Sequence, residues 1–115
     1  MVIYSELQLD NIFGALANRT RREILNLLTR SEHSVLDLAG RFDMSQPAVT
    51  KHLNVLERAG LIRKRKAGRY RYCTLDGEKL GDASEWIDRT RQYWEESFAA
   101  LDEYLEQTQS EEDES

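Results

Sequence analysis

Six cations crowd into the nine residues from Arg63 to Arg71: Arg63, Lys64, Arg65, Lys66, Arg69 and Arg71. Upstream, Ser45-Gln46-Pro47-Ala48-Val49-Thr50-Lys51 offers short or hydrogen-bonding side chains and one further cation. Such residues suit recognition of a polyanion with readable edges. A glutamine can pair with both edge groups of an adenine, Thr or Ala can touch a thymine methyl, and Lys and Arg neutralise phosphates. Like charges at this density repel one another unless they lie beside phosphates or in a narrow minor groove. The plainer alternative is a solvated basic edge strand that blocks aggregation. The sequence suggests no nucleophile–base set, phosphate loop or carboxylate pair, so an enzyme is not expected.

The elements that position these residues follow from periodicity. Leu7, Leu9, Ile12, Phe13 and Leu16 give a short amphipathic helix over about residues 8–17. Asn18 or Thr20 can cap a second helix, whose apolar face is Ile24, Leu25, Leu27 and Leu28. Ser34 starts a third helix, with Val35, Leu38, Ala39 and Phe42 inward. Ser45 caps a fourth, and Pro47 suits its first turn, where a missing N–H is harmless. Val49, Leu53 and Leu56 face the core, which leaves Gln46, Ala48, Thr50, Lys51 and Asn54 on the other side. Gly60 ends that helix. Residues 61–66 and 70–75 then read as a hairpin with Gly68 at its tip. From Leu80 to Leu105 apolar residues recur every three or four positions, among them Ile87, Trp94, Phe98 and Leu101, with Trp86 and Tyr93 widening the stripe. The fold expected is mainly α with a small β-hairpin: about five helices and a two-stranded wing, a winged helix-turn-helix. One domain over 1–107 and a disordered acidic tail over 108–115 are expected.

Charge is segregated. Residues 19–71 hold 13 Lys/Arg against 5 Asp/Glu, a balance of +8, while residues 72–115 hold 3 against 14, a balance of −11. The net charge of −5 therefore hides a basic middle, the footprint of a DNA-facing surface. No apolar run approaches the ~20 residues that cross a bilayer, the start does not read as a signal peptide, and a single cysteine makes no intrachain disulfide. A cytoplasmic protein without membrane insertion is expected.

The stretches Leu16-Ala-Asn-Arg-Thr-Arg-Arg-Glu-Ile-Leu25, Ser45-Gln-Pro-Ala-Val-Thr-Lys-His-Leu-Asn-Val-Leu-Glu-Arg-Ala-Gly-Leu-Ile62 and Gly68-Arg-Tyr-Arg-Tyr72 resemble the ArsR-type winged-helix repressors of prokaryotes, over roughly residues 8–105. The resemblance implies a homodimer on double-stranded DNA that blocks transcription. Its two recognition helices would meet a palindromic operator, with the chain's own promoter the first place to look. It implies DNA contacts at Ser45, Gln46, Ala48, Thr50 and Lys51 and a wing tip at Gly68 and Arg69. Arg21, Arg22, Pro47, His52, Lys64, Arg65, Lys66 and Arg71 complete the candidate DNA-binding set. The first and last helices would build the dimer interface: Leu9, Ile12, Phe13, Leu16, Trp86, Ile87, Tyr93, Trp94, Phe98, Leu101 and Leu105.

The sequence departs from the metal-sensing members. Cysteines occur in their third helix, whereas Ser34-Val-Leu-Asp-Leu-Ala39 has none, and the last helix has no histidine. His33, His52 and Cys73 are too few and scattered for a three- or four-ligand site. No metal and no cofactor are expected, and the chain reads as a non-metal-sensing member. Asp43 stands where glycine is common in the turn, and aspartate tolerates the left-handed conformation. The competing reading is a winged-helix module that binds another protein through its acidic helix, that senses a small molecule between subunits at Trp86, Tyr93, Trp94 and Phe98, or that senses an oxidant through Cys73.

Overall fold

The computed structural model describes residues 6–114, so residues 1–5 of the expected domain and Ser115 of the expected tail lie outside the described residues. Three helix starts are set by side-chain caps that meet otherwise orphaned N–H groups. α1 spans Glu6–Leu16 and α2 Arg19–Leu28. Asn18, rather than Thr20, caps α2 by accepting from Arg21 N at 3.0 Å. A short strand β1 (His33–Ser34) precedes α3 (Val35–Arg41), capped by Ser34, which accepts from Asp37 N at 3.0 Å. α4 covers Gln46–Arg58, capped by Ser45, with Pro47 in its first turn.

β2 (Ile62–Ala67) and β3 (Tyr70–Leu75) form the expected hairpin. The sheet has three strands rather than two, in the order β1-β3-β2, all pairs antiparallel. β1 pairs His33 with Cys73 and Ser34 with Tyr72. Two residues of His-Ser carry no alternating pattern, so this strand had no sequence signal. It ties the wing's second strand to the start of α3.

Two turns decide how α4 is held. After α3, Asp43 takes φ +51°, Asp43 N donates to Gly40 O at 3.4 Å and Met44 N to Ala39 O at 3.0 Å. After α4, Gly60 takes φ +76°, with Gly60 N on Glu57 O at 2.9 Å and Leu61 N on Leu56 O at 3.0 Å. Both are Schellman endings, in which a left-handed residue lets the chain turn back and satisfy the last carbonyls. The core gathers Ile12, Ile24, Leu38, Val49, Leu53, Leu56 and Leu61, all fully buried, with Cys73 and Ala83.

The chain divides into two compact units, Met1–Ala83 and Ser84–Ser115. α5 runs Glu78–Glu114; its first turns belong to the first unit, where Leu80 packs against the core, and the remainder is the second unit by itself. Helix continues to Glu114 across the segment expected to be a disordered tail after residue 107. The physical reason is local. Neither glycine nor proline occurs after Gly81, Glu and Gln are good helix formers, and Thr108 Oγ1 donates back to Tyr104 O at 3.0 Å.

Gly60→Ala tests the second turn. A Cβ there meets Lys79 Cγ at 2.7 Å, a flexible side chain that can move, but φ +76° remains strained for alanine. A loss of about 1–2 kcal/mol is expected, measured as a lower urea midpoint at unchanged slope.

Candidate nucleic-acid interface

Helix α4 is amphipathic in the expected sense. Val49, Leu53 and Leu56 are 0% exposed, while Gln46, Pro47 and Lys51 are exposed and Ala48 and Thr50 half-buried. Between this outer face and the wing lies a polar groove of about 460 Å³. Gln46 and Thr50 line it from α4, Arg69, Tyr70 and Arg71 from the wing, and Ser34, Val35 and Leu36 from the start of α3. Residues far apart in the chain thus meet around one concavity: hydrogen-bonding groups suited to base edges on one wall and cations suited to phosphates on the other.

Strand parity sorts the wing's cations. In β2, Lys64 and Lys66 share a face with Ile62; in β3, Arg71 shares it with Cys73 and Leu75. Arg63 and Arg65 project from the other face. Lys66, Arg69 and Arg71, like Lys51 on α4, are exposed, and no described carboxylate pairs with them. Gly68, at φ +62°, makes the tip.

Five residues of the expected DNA-binding set make contacts within the chain. Arg65 donates twice to the Glu32 carboxylate, from Nε at 2.8 Å and also from Nη2, and stacks on Tyr72 at 4.9 Å. That contact holds the Glu32 carboxyl below its ordinary range. Lys64 is half-buried, donates to Asn54 Oδ1 and lies 3.7 Å from Glu57, so it ties the wing to the outer face of α4. Arg21 Nε donates to Ala15 O at 2.8 Å and Nη2 to Gly14 O at 3.1 Å, and Arg22 Nη1 donates to Leu16 O at 2.7 Å. The two arginines close the C-terminal end of α1, whose last carbonyls have no partner within the helix. His52 Nδ1 stands 3.3 Å from Arg21 Nη1. Arginine has only donors, so that nitrogen accepts. Burial first, and the Arg21 charge second, push the imidazole pKa below its ordinary 6.5. Arg63, not in the expected set, donates to Asp76 Oδ2 at 3.0 Å.

Two residues assigned to a subunit interface are buried in the core of this chain instead: Leu9 is 4% and Ile12 0% exposed. Phe13 and Leu16 are half-buried and pack against the same core. On α5, Trp86, Ile87, Tyr93, Trp94, Phe98, Leu101 and Leu105 are all exposed, from 39% at Trp86 to 64% at Tyr93. Cys73 is fully buried, which pushes its thiol up and disfavours the reactive thiolate. Sequence reasoning missed the α3 wall of the groove. Leu36 falls outside the inward set of Val35, Leu38, Ala39 and Phe42, and an apolar residue left out of its helix's stripe beside an N-cap was the available signal.

A helix presented across a basic hairpin, with a polar groove between them, defines a winged helix-turn-helix protein built to meet DNA. Residues 18–64 match the family described as bacterial regulatory protein, arsR family. The transcriptional repressor SdpR of Bacillus subtilis is 34% identical over 79 residues, covering 69% of this chain and 88% of that protein. The transcriptional activator HlyU of Vibrio cholerae is 36% identical over 78 residues, 68% of this chain and 72% of that one. The solved ArsR-like transcriptional regulator from Rhodococcus sp. RHA1 superposes with a TM-score of 0.80 at 33% identity, covering 92% of this chain and 97% of that one. This chain belongs to the arsR family and is a DNA-binding transcriptional regulator.

The contact between His52 and Arg21 carries a pH dependence with a definite sign. As pH falls through about 6.5 the unfolded chain takes up a proton on His52 before the folded chain does. That contribution to stability is complete above the unfolded value and is lost as pH falls below it. Urea midpoints from pH 7.5 to 5 should fall further for the native chain than for His52→Gln; parallel curves would remove the effect from His52.

Proposed function

We propose that the chain is a homodimeric repressor that binds a palindromic operator, with its own promoter as the first site to test. The observation that carries the DNA contact is the groove, where Gln46 and Thr50 of α4 stand opposite Arg69 and Arg71 of the wing. In this reading Gln46, Ala48, Thr50 and Lys51 enter the major groove. Ser45 and Pro47 bring the start of α4 close to the backbone, and Lys66, Arg69 and Arg71 neutralise flanking phosphates around the Gly68 tip. Occupying a promoter excludes polymerase, which is repression by position. The similarity to a named repressor supports that direction of control, and the similarity to a named activator makes it the part to test first. A chain whose described helices are none of them long and apolar enough to cross a membrane fits cytoplasmic work on DNA.

The apolar face of α5 supports the dimer. Eight large apolar or aromatic side chains are exposed along one helix, the kind of surface that marks an interaction face. A second copy doubles the reading heads and sets them about 34 Å apart, one turn of B-DNA.

Two measurements test the two halves separately. Fluorescence anisotropy on promoter DNA across a salt series should give a steep slope. Gln46→Ala should cost about 1–3 kcal/mol at one base position, while Lys66→Ala and Arg71→Ala should weaken all sequences and shallow the slope by about one each per dimer half. Arg65→Ala, which frees Glu32 and uncovers the Tyr72 ring, should leave the slope unchanged; a binding curve indifferent to both Lys66→Ala and Arg71→Ala refutes the wing assignment. For the dimer, light scattering of the native chain should give twice the mass of Trp94→Glu/Phe98→Glu.

A further inference from the structure

A second concavity lies away from the DNA-facing groove, between the C-terminal half of α2 and the end of α3. It has a volume of about 430 Å³ and is lined by Glu23, Asn26, Leu27, Arg30, Arg41 and Phe42. This is the size range of small-molecule sites. Its apolar part is Leu27 and Phe42, both half-buried and packed against the core. Its charges are unequal. Glu23 is already paired with Arg19 at 3.0 Å. Arg41 donates from Nε to Asp37 Oδ2 at 2.8 Å, and among the described residues its two terminal nitrogens have no hydrogen-bond partner. Arg30 is exposed and has no carboxylate partner among the described residues. An apolar floor beside two guanidinium groups selects a small anion with an apolar body, because a guanidinium holds a carboxylate with paired N–H donors while the body covers the ring of Phe42.

We propose that this cleft binds a small amphiphilic carboxylate, an aromatic or aliphatic acid, through Arg30 and Arg41 over Leu27 and Phe42. The site also has a route to the recognition helix. Phe42 is the C-terminal cap of α3, and the next three residues are Asp43 at φ +51°, Met44, whose N–H closes the turn on Ala39 O, and Ser45, the cap of α4. A ligand seated on Phe42 therefore bears on the turn that sets α4.

Phenylacetate is the probe, and 2-phenylethylamine, with the same ring and the opposite charge, is the control. Amide shifts of the full chain, followed by NMR as phenylacetate is added, should move saturably at Leu27, Arg30, Arg41 and Phe42 and extend to Asp43, Met44 and Ser45. The amine should leave these residues unmoved; it should instead favour the acidic, aromatic α5 if it binds anywhere. Arg30→Glu, an exposed position that leaves the core intact, should weaken the phenylacetate dissociation constant at least tenfold, and Arg30→Lys should recover part of it. Equal response to acid and amine, or shifts confined to α5, overturns the site. Saturable shifts at Phe42 that stop short of Asp43 overturn the coupling to α4. The readout needs no DNA, so its failure is separate from failure of the operator reading.

Discussion

The structure depends on the anchoring of α4. Its inner residues Val49, Leu53 and Leu56 are completely buried, and each such side chain contributes about 1.5–3 kcal/mol on transfer from water. Burial fixes the roll of the helix, so Gln46, Thr50 and Lys51 have no choice of face. The two left-handed residues, Asp43 before α4 and Gly60 after it, fix its ends. Lys64 adds a third constraint from the side, through Asn54 and Glu57. A reading head must hold its donors within a fraction of an ångström of the base edges, and these constraints act on one thirteen-residue helix.

The same economy explains why so many basic residues are engaged within the chain. A strand alternates faces every residue, so a run such as Arg63-Lys64-Arg65-Lys66 cannot place all its charges on one surface. The face with Arg63 and Arg65 finds Asp76 and Glu32, and Arg65 also stacks on Tyr72. These are exposed pairs, individually weak in water. Their effect is to discharge the back of the wing and keep the hairpin's self-repulsion down. What is left facing the groove is a small, unpaired set near the tip. Arg21 and Arg22 show the same logic in a helix: the orphan carbonyls of α1 lie nearest and claim them.

The elements were legible because their signals are local. Caps at Ser34 and Ser45, the inward spacing of Val49, Leu53 and Leu56, and the glycines at the ends of α4 and the hairpin each act within a few residues. The groove was legible as a pairing of α4 with the wing. What the sequence did not disclose were partners brought in from elsewhere: Glu32 for Arg65, thirty-three positions away, Arg21 for His52, thirty-one away, and β1 on β3. The burial of Leu9 and Ile12 belongs to the same class. An amphipathic helix announces an apolar face but not whether its own domain or a second copy covers it. The end of α5 erred the other way, since a run of acids reads as disorder while the absence of any breaker lets the helix continue.

His33, His52 and Cys73 are the side chains that most often answer a metal or an oxidant, and here each already has a role. His33 lies 2.7 Å from Asp37 and 3.2 Å from Ser31, which engages both ring nitrogens. His52 faces Arg21, a fixed cation that opposes a second one nearby. Cys73 is fully buried opposite Lys64 and His33 in the sheet. A metal at any of these would first have to break a contact that holds β1, α4 or the wing. A small acid over Phe42 would have no such cost, because the cleft between α2 and α3 is open and Arg30 at its edge has no carboxylate partner among the described residues. The chemistry of the exposed groups, more than the kind of side chain usually associated with sensing, is therefore the basis for proposing an organic anion at this cleft.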